Sequence, residues 1–334
     1  MRTVLRAAVH ALERGSPVEL VTVLSASGST PRGPGAALAV LPDGSAAGTV
    51  GGGSVEFEAI QLARRLLSVG EHALRTFRFV QGEAAGLGMV CGGDLTLHFH
   101  HLSPDGPAVP VLRALLDASG QAWDAWLVRR LEGDQVLLTA LADRTQAPAG
   151  MPPELLERRA VLRDGWFALP VSRAGFTYIF GGGHVSQALV PAIAAVGFRP
   201  VVYDDRPQFA APGLFPQAHR VLCGPFEELS RQIHLTPDDD VVIMTRGHQA
   251  DYEVLVQTLR SGVRYLGCIG SRKKLALCRQ RLLEAGFTAE EYARVHAPIG
   301  LAIGAETPAE IAVSIAAELI AVRAGVALAK DRIP

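Results

Sequence analysis

A strand, a glycine triplet and a helix in immediate succession constrain this chain more than any other feature. Thr177–Phe180 is a short apolar run, Gly181-Gly182-Gly183 follows, and His184-Val185-Ser186 opens a helical segment. The pattern is G-x-G-x-x-(small), with Ser186 in place of a third glycine. Glycines there permit a tight turn and close approach of backbone to a phosphate, and the helix start offers unpaired N–H groups. Asp204 and Asp205 close the next strand, 21 and 22 residues beyond Gly183, where an acid can grip ribose hydroxyls. The plainer alternative is a tight turn in an α/β sheet that holds no ligand.

The surroundings of the triplet repeat its alternation. Short apolar runs at 177–180, 200–203, 220–223, 241–244 and 264–268 read as strands covered on both faces. Helical segments start near His184, Pro225, Ala250 and Ser271. This is the pattern of a doubly wound, Rossmann-like parallel sheet. A last helix opens at Thr307-Pro308-Ala309-Glu310, an N-cap, a first-turn proline and a capping-box acid, and Gly325 ends it. The first part of the chain reads differently: a helix striped by Leu5, Val9 and Leu12, strands at 18–24, 36–41, 94–102, 122–131 and 135–141, and a helix after Gly51-Gly52-Gly53. The expected fold class is therefore α/β: an α+β domain over 1–142, a linker with connecting helix or strand over 143–174, and the Rossmann-like domain over 175–334.

Length and composition agree with two packed domains. The chain has 334 residues, 49% hydrophobic and 19% charged, which excludes wholesale disorder. Thirty-two Lys and Arg against 33 Asp and Glu leave a net charge of −1, so no global field draws nucleic acid or an anionic membrane. The uncharged stretch 174–198 is broken by glycines and Pro191, and reads as strand, turn and helix rather than a membrane span. The N-terminal residues carry helical charges, not a signal peptide, so the expectation is a cytoplasmic protein. Cys91, Cys223, Cys268 and Cys278 form no CxxC pair, and His98 and His100 share a strand face without an evident third ligand. No metal site is expected.

Several other loops have the chemistry of anion sites. In the common strand order 3-2-1-4-5, the tips of strands one, four and five face the same crevice. They carry the glycine loop, Arg246-Gly247-His248, and Gly270-Ser271-Arg272-Lys273-Lys274. Three cations in the first turn of a helix oppose its dipole, which a bound anion would reverse. Side chains bent into solvent would remove the conflict without a ligand. Thr30 and Arg32 lie in a hydroxyl- and glycine-rich loop, and Gly52 and Gly53 precede a helix. Glu56 and Glu58 in that helix can already satisfy its dipole. Cys91, among Gly88, Gly92 and Gly93, is either a reachable thiol or a small filler.

The segments SASGSTPRGPGA, GTVGGGSVE, MVCGG, IFGGGHVSQAL, YDDRP, TRGHQAD, GCIGSRKK and APIGLAIGAETPAEIAVSIAAELIA, in this order from about Ser25 to Arg323, resemble the XdhC/CoxI family of xanthine dehydrogenase accessory proteins. The resemblance implies a molybdenum-cofactor-binding protein, a chaperone or insertion factor more than an enzyme. Such a protein protects the cofactor, has it sulfurated with a cysteine desulfurase as partner, and delivers it to an apo molybdenum hydroxylase of the xanthine dehydrogenase type. The cofactor is molybdopterin or its dinucleotide form. Gly181, Gly183, His184, Arg246, His248, Ser271, Arg272 and Lys273, with Thr30, Arg32, Gly52 and Gly53, suit its phosphates; Asp204 suits a ribose, and Cys91 its sulfur or metal. A homodimer is expected. The alternative is an NAD(P)-dependent oxidoreductase, with His184 or His248 as acid or base.

Overall fold

The computed structural model describes residues 1–79, 93–121 and 123–327. The chain divides into two compact units, Met1–Arg173 and Ala174–Pro334.

In the first unit, β1 (Val18–Gly28), β2 (Ala37–Val40), β3 (Ala46–Gly48), β4 (Ala73–Phe79) and β5 (Gly93–Leu102) form an antiparallel sheet of order β3-β2-β1-β5-β4. A second antiparallel sheet, order β7-β6-β9-β8, comprises β6 (Ala125–Glu132), β7 (Gln135–Ala142), β8 (Val161–Arg163) and β9 (Trp166–Ser172). Segment 143–174 thus supplies two paired strands. β1 is buried over its first seven residues because both its faces are covered. Val21 and Val23 pack with Val55, Ala59 and Ala63 of α2 (Gly53–Val69). Leu20 and Leu24 pack with Leu5 and Val9 of α1 (Arg2–Glu13) and Leu112 and Leu115 of α3 (Ala108–Ala118). Gly70, at φ 73°, ends α2 as its left-handed cap.

In the second unit, β10 (Thr177–Phe180), β11 (Pro200–Asp204), β12 (Arg220–Cys223), β13 (Asp240–Ile243) and β14 (Tyr265–Cys268) make a parallel sheet. Its order, β12-β11-β10-β13-β14, is the 3-2-1-4-5 arrangement anticipated from the alternation. α4 (His184–Ala195) and α8 (Pro308–Arg323) bury Leu189, Ile193, Ile315 and Leu319 against one face. α5 (His248–Thr258) and α6 (Arg272–Glu284) bury Val254, Leu255, Leu275 and Leu282 against the other. A four-residue helix, α7 (Ala289–Tyr292), completes the unit. The helix expected near Pro225 is a 3-10 segment, Phe226–Arg231, whose Glu228 has non-helical backbone. α8 carries the anticipated capping box between Thr307 and Glu310, with Pro308 in its first turn. Among the described residues no helix is long and apolar enough to cross a membrane.

Candidate functional site

The three glycines after β10 have different tasks. A Cβ on Gly181, whose φ is 106°, would lie 2.3 Å from the Met244 carbonyl oxygen, and one on Gly182 would lie 2.2 Å from that of Phe209. These two positions admit the protein's own backbone. Gly183 has nothing within 4 Å of an added Cβ, so it alone faces open space. It is the N-cap of α4, which has no side-chain cap and no acid in its first turn, and exposed His184 follows. Ser186 supports the turn from below, its Oγ donating to the Gly181 carbonyl.

Asp204 corrects an expectation. Its side chain is only 1% exposed, and Oδ2 accepts the Gly182 N–H at 2.7 Å. Arg206 donates its backbone N–H and Nε to Oδ1, and Nη2 to Oδ2, at 2.9, 2.9 and 3.0 Å. Burial alone would raise the carboxyl's pKa, but the bonds from Arg206 and Gly182 hold it below its usual value. Asp204 braces the glycine loop and has no oxygen left for a ribose. The same sequence spacing fits both roles, because either one needs an acid at the tip of the adjacent strand.

The tips of β13 and β14 lead into two more helix starts. Gly247 is the N-cap of α5 in extended conformation, without a side-chain cap. His248, Ser271 and Lys273 line one groove of about 490 Å³, with Lys274 and Leu277. Ser271 caps α6, its Oγ accepting the Lys274 N–H at 3.3 Å. The three basic residues part company here. The Lys274 ammonium turns inward and pairs with Asp251, which is fully buried in the first turn of α5. Arg272 and Lys273 remain exposed and make no ion pair among the described residues. Arg246 donates to Asp205 at 2.8 Å and lines a separate, acid-rich cavity of about 560 Å³ with Glu227 and Glu253.

In the first unit, Gly51 lies so close to Pro31 that a Cβ would stand 2.6 Å from its Cγ. Gly93 pairs with Gly28, and a Cβ there would meet the Ser27 carbonyl oxygen at 2.4 Å. The hydroxyl-rich loop, the glycine run and the end of the MVCGG segment therefore meet. Cys91 itself lies outside the described residues. The N–H groups of Val50 and Gly52 donate to Glu56 Oε2 at 3.0 and 3.1 Å, and the Thr49 hydroxyl donates to it as well. Burial would raise the Glu56 pKa, but these bonds keep it below the usual value. The Gly52–Gly53 turn thus already holds a carboxylate. Thr30 Oγ1 donates to the Arg32 carbonyl at 3.2 Å, and the Arg32 side chain is exposed.

Two buried charged residues, Glu318 and Arg129, were not singled out from sequence, although His98 and His100 in the cluster of the second were. Glu318, fully buried in α8, accepts from Tyr265 Oη at 2.6 Å and the Gly300 N–H at 2.8 Å, with His296 Nδ1 at 2.9 Å. An acid inside the apolar run of α8 was the available signal. The second cluster, around Arg129, has no such mark. Among the described residues no group of three side chains is placed to hold a metal ion.

Residues 177–319 match the XdhC Rossmann domain, and residues 11–78 match the XdhC and CoxI family. The chain is 27% identical over 328 residues to molybdenum cofactor insertion chaperone PaoD of Escherichia coli (strain K12), covering 96% of this chain and 88% of PaoD. It is also 27% identical over 312 residues to protein YqeB of the same organism, covering 93% of this chain but spanning only 44% of YqeB. Among solved structures, a xanthine dehydrogenase from Bacillus halodurans superposes with a TM-score of 0.81 at 25% identity, covering 98% of each chain. Two matches from one family, in order along a single chain with the expected parallel sheet, establish that this chain belongs to the XdhC and CoxI family.

Proposed function

We propose that this protein is a molybdenum-cofactor accessory protein of a xanthine dehydrogenase-type molybdoenzyme. The observation that carries the reading is the likeness to the insertion chaperone PaoD along 96% of the chain. In this reading molybdopterin, or its dinucleotide form, binds at the carboxyl edge of the parallel sheet. It is sulfurated with the help of a cysteine desulfurase and passed to the apo-enzyme by a cytoplasmic homodimer. The bound group supplies the redox-active molybdenum centre that the client enzyme uses.

The chain's own residues have distinct tasks in binding. Gly183 lets a phosphate reach the N–H groups that open α4, and His184 stands beside it. Arg272 and Lys273 neutralise phosphate charge across the groove that His248 and Ser271 line. Gly181 shapes the turn that presents Gly183, while Arg246, paired with Asp205 in the separate acid-rich cavity, would reach a phosphate only on leaving that partner. Thr30 and Arg32 offer a separate anion contact in the first unit; Gly52 and Gly53 do so only if Glu56 withdraws. Cys91 handles the sulfur. An NAD(P) oxidoreductase is less well supported: Asp204 is committed to Arg206 and Gly182, and the Phe209 backbone lies over Gly182, where a dinucleotide would need room.

Two variants test the site. Gly183→Val should fold, since nothing lies within 4 Å of the new Cβ, yet lose molybdopterin binding measured by the absorbance of the bound cofactor. Equal binding by parent and variant would place the site elsewhere. Arg272→Gln with Lys273→Gln should leave the free protein as stable or a few tenths of a kcal/mol more stable, because both cations oppose the α6 dipole. Each charge-assisted bond contributes about 1.5–3 kcal/mol, so the same change should raise the dissociation constant about tenfold or more. An unchanged cofactor-induced rise in melting temperature would remove this pair from the site.

A further inference from the structure

The geometry points to a second binding site, for a small organic anion, in the first unit: the cavity lined by His72, His100 and His101 where the uncapped start of α3 meets β7. The cavity measures about 350 Å³, within the range of small-metabolite pockets. Val136, Leu137 and Leu138 give it an apolar wall, and Gly106, Pro107 and Ala108 bring in the N-terminus of α3. That helix has no side-chain cap and no acid in its first turn. His100 is 7% exposed, and its Nδ1 has no hydrogen-bond partner.

A buried positive charge lies on the strand paired with the cavity wall. Arg129 of β6 is 1% exposed; among the described residues it donates only to Thr22 Oγ1, at 3.4 Å, and its Nε has no partner. Its strand partner is Thr139, which lines the cavity. Burial and then the Arg129 charge push His98 down to about 4 and His100 well below its ordinary value, so both are neutral at pH 7. Burial raises Glu19 of β1, 3.5 Å from His101 Nδ1, to about 8, so it too is neutral and cannot balance Arg129. His72 accepts the His101 backbone N–H through Nδ1 at 3.1 Å, which leaves its Nε2 to donate in the neutral ring. The Asp134 side chain weakly favours protonated His98, whose Nε2 bonds the Asp134 carbonyl at 2.8 Å. β7 contributes no charged side chain. Buried charges are normally paired, and among the described residues nothing pairs with this one. A carboxylate or similar oxyanion in the cavity would balance it, accept from the imidazoles and favour their protonated form, while its apolar body lies on β7.

Benzoate and its neutral analogue benzamide are the probes, titrated calorimetrically into the full chain with the histidine ring resonances followed by NMR. Benzoate should bind at least tenfold more tightly than benzamide. It should take up protons on binding, so that affinity rises as the pH falls from 8 to 6, and it should shift the His72 and His100 resonances. His100→Asn should weaken benzoate at least tenfold and reduce the proton uptake. If that variant does not fold, the resonances and proton uptake of the parent protein decide. Equal binding of the two probes, no binding of either, unmoved histidine resonances, or zinc capture by these histidines without a benzoate response would each overturn the proposal.

Discussion

Lys274→Met is expected to lower the unfolding free energy by about 3–5 kcal/mol, the cost of removing one partner from a buried ion pair. The pair is unequal. Asp251 is fully buried, whereas the Lys274 side chain is 25% exposed. Without the ammonium, Asp251 keeps only the Thr245 N–H at 3.2 Å, the Thr245 hydroxyl and the start of α5, and has no path to water. The reverse change, Asp251→Asn, should cost less: the amide oxygen still accepts from Thr245, and Lys274 can extend into solvent. Combining the two should recover most of the loss, because a neutral pair leaves no buried charge. Urea unfolding of the parent and the three variants measures each step. A Lys274→Met protein within 0.5 kcal/mol of the parent, roughly the spread of ordinary surface substitutions, would show that the pair is not formed. The result also bears on binding, since a Lys274 held inward leaves Arg272 and Lys273 as the first-turn cations of α6 that can meet a ligand.

What the sequence made legible and what it hid differ in kind. The parallel sheet was legible because strands covered on both faces must be short apolar runs, and 177–180 and 220–223 are bounded in the structure as they read in the sequence. The start of α8 was legible because a capping box is a local device whose partners lie three residues apart. Glu56 was recognisable as a rival to any anion at Gly52 for the same reason. The direction of a long side chain is not local. Nothing within Ser271-Arg272-Lys273-Lys274 says that the last cation turns inward, because its partner Asp251 lies on another helix. Asp204 stood at the spacing of a ribose acid, but whether its oxygens are free depends on Arg206 folding back onto it. β8 and β9 escaped because they follow a proline-rich stretch and because β9, to which β8 pairs, finds its other partner in β6, more than 30 residues earlier. Arg129 was the least visible: in Leu127-Val128-Arg129-Arg130-Leu131 two adjacent arginines look alike, and only the covering of one face by α1 and α3 distinguishes them.

Arg129→Met is expected to raise the unfolding free energy, by about 1–4 kcal/mol, in the direction opposite to most core substitutions. Taking a guanidinium out of water costs several kcal/mol, and the long bond to Thr22, its one bond among the described residues, returns little of that. Methionine has similar length, can adapt its shape, and would lie beside Leu127 and Leu131 in an apolar cluster. Two further consequences separate this cause from general repacking. The His98 and His100 pKa values should rise, because a positive charge that holds them down is gone, and an NMR pH titration of the ring protons reads this directly. Benzoate affinity should fall at least tenfold, since the charge that attracts the anion has been removed. Greater stability would then accompany weaker binding, as expected where a buried charge is held for a ligand rather than for the fold. A stability loss above 1 kcal/mol would instead mean that the guanidinium has an acid to serve inside the protein.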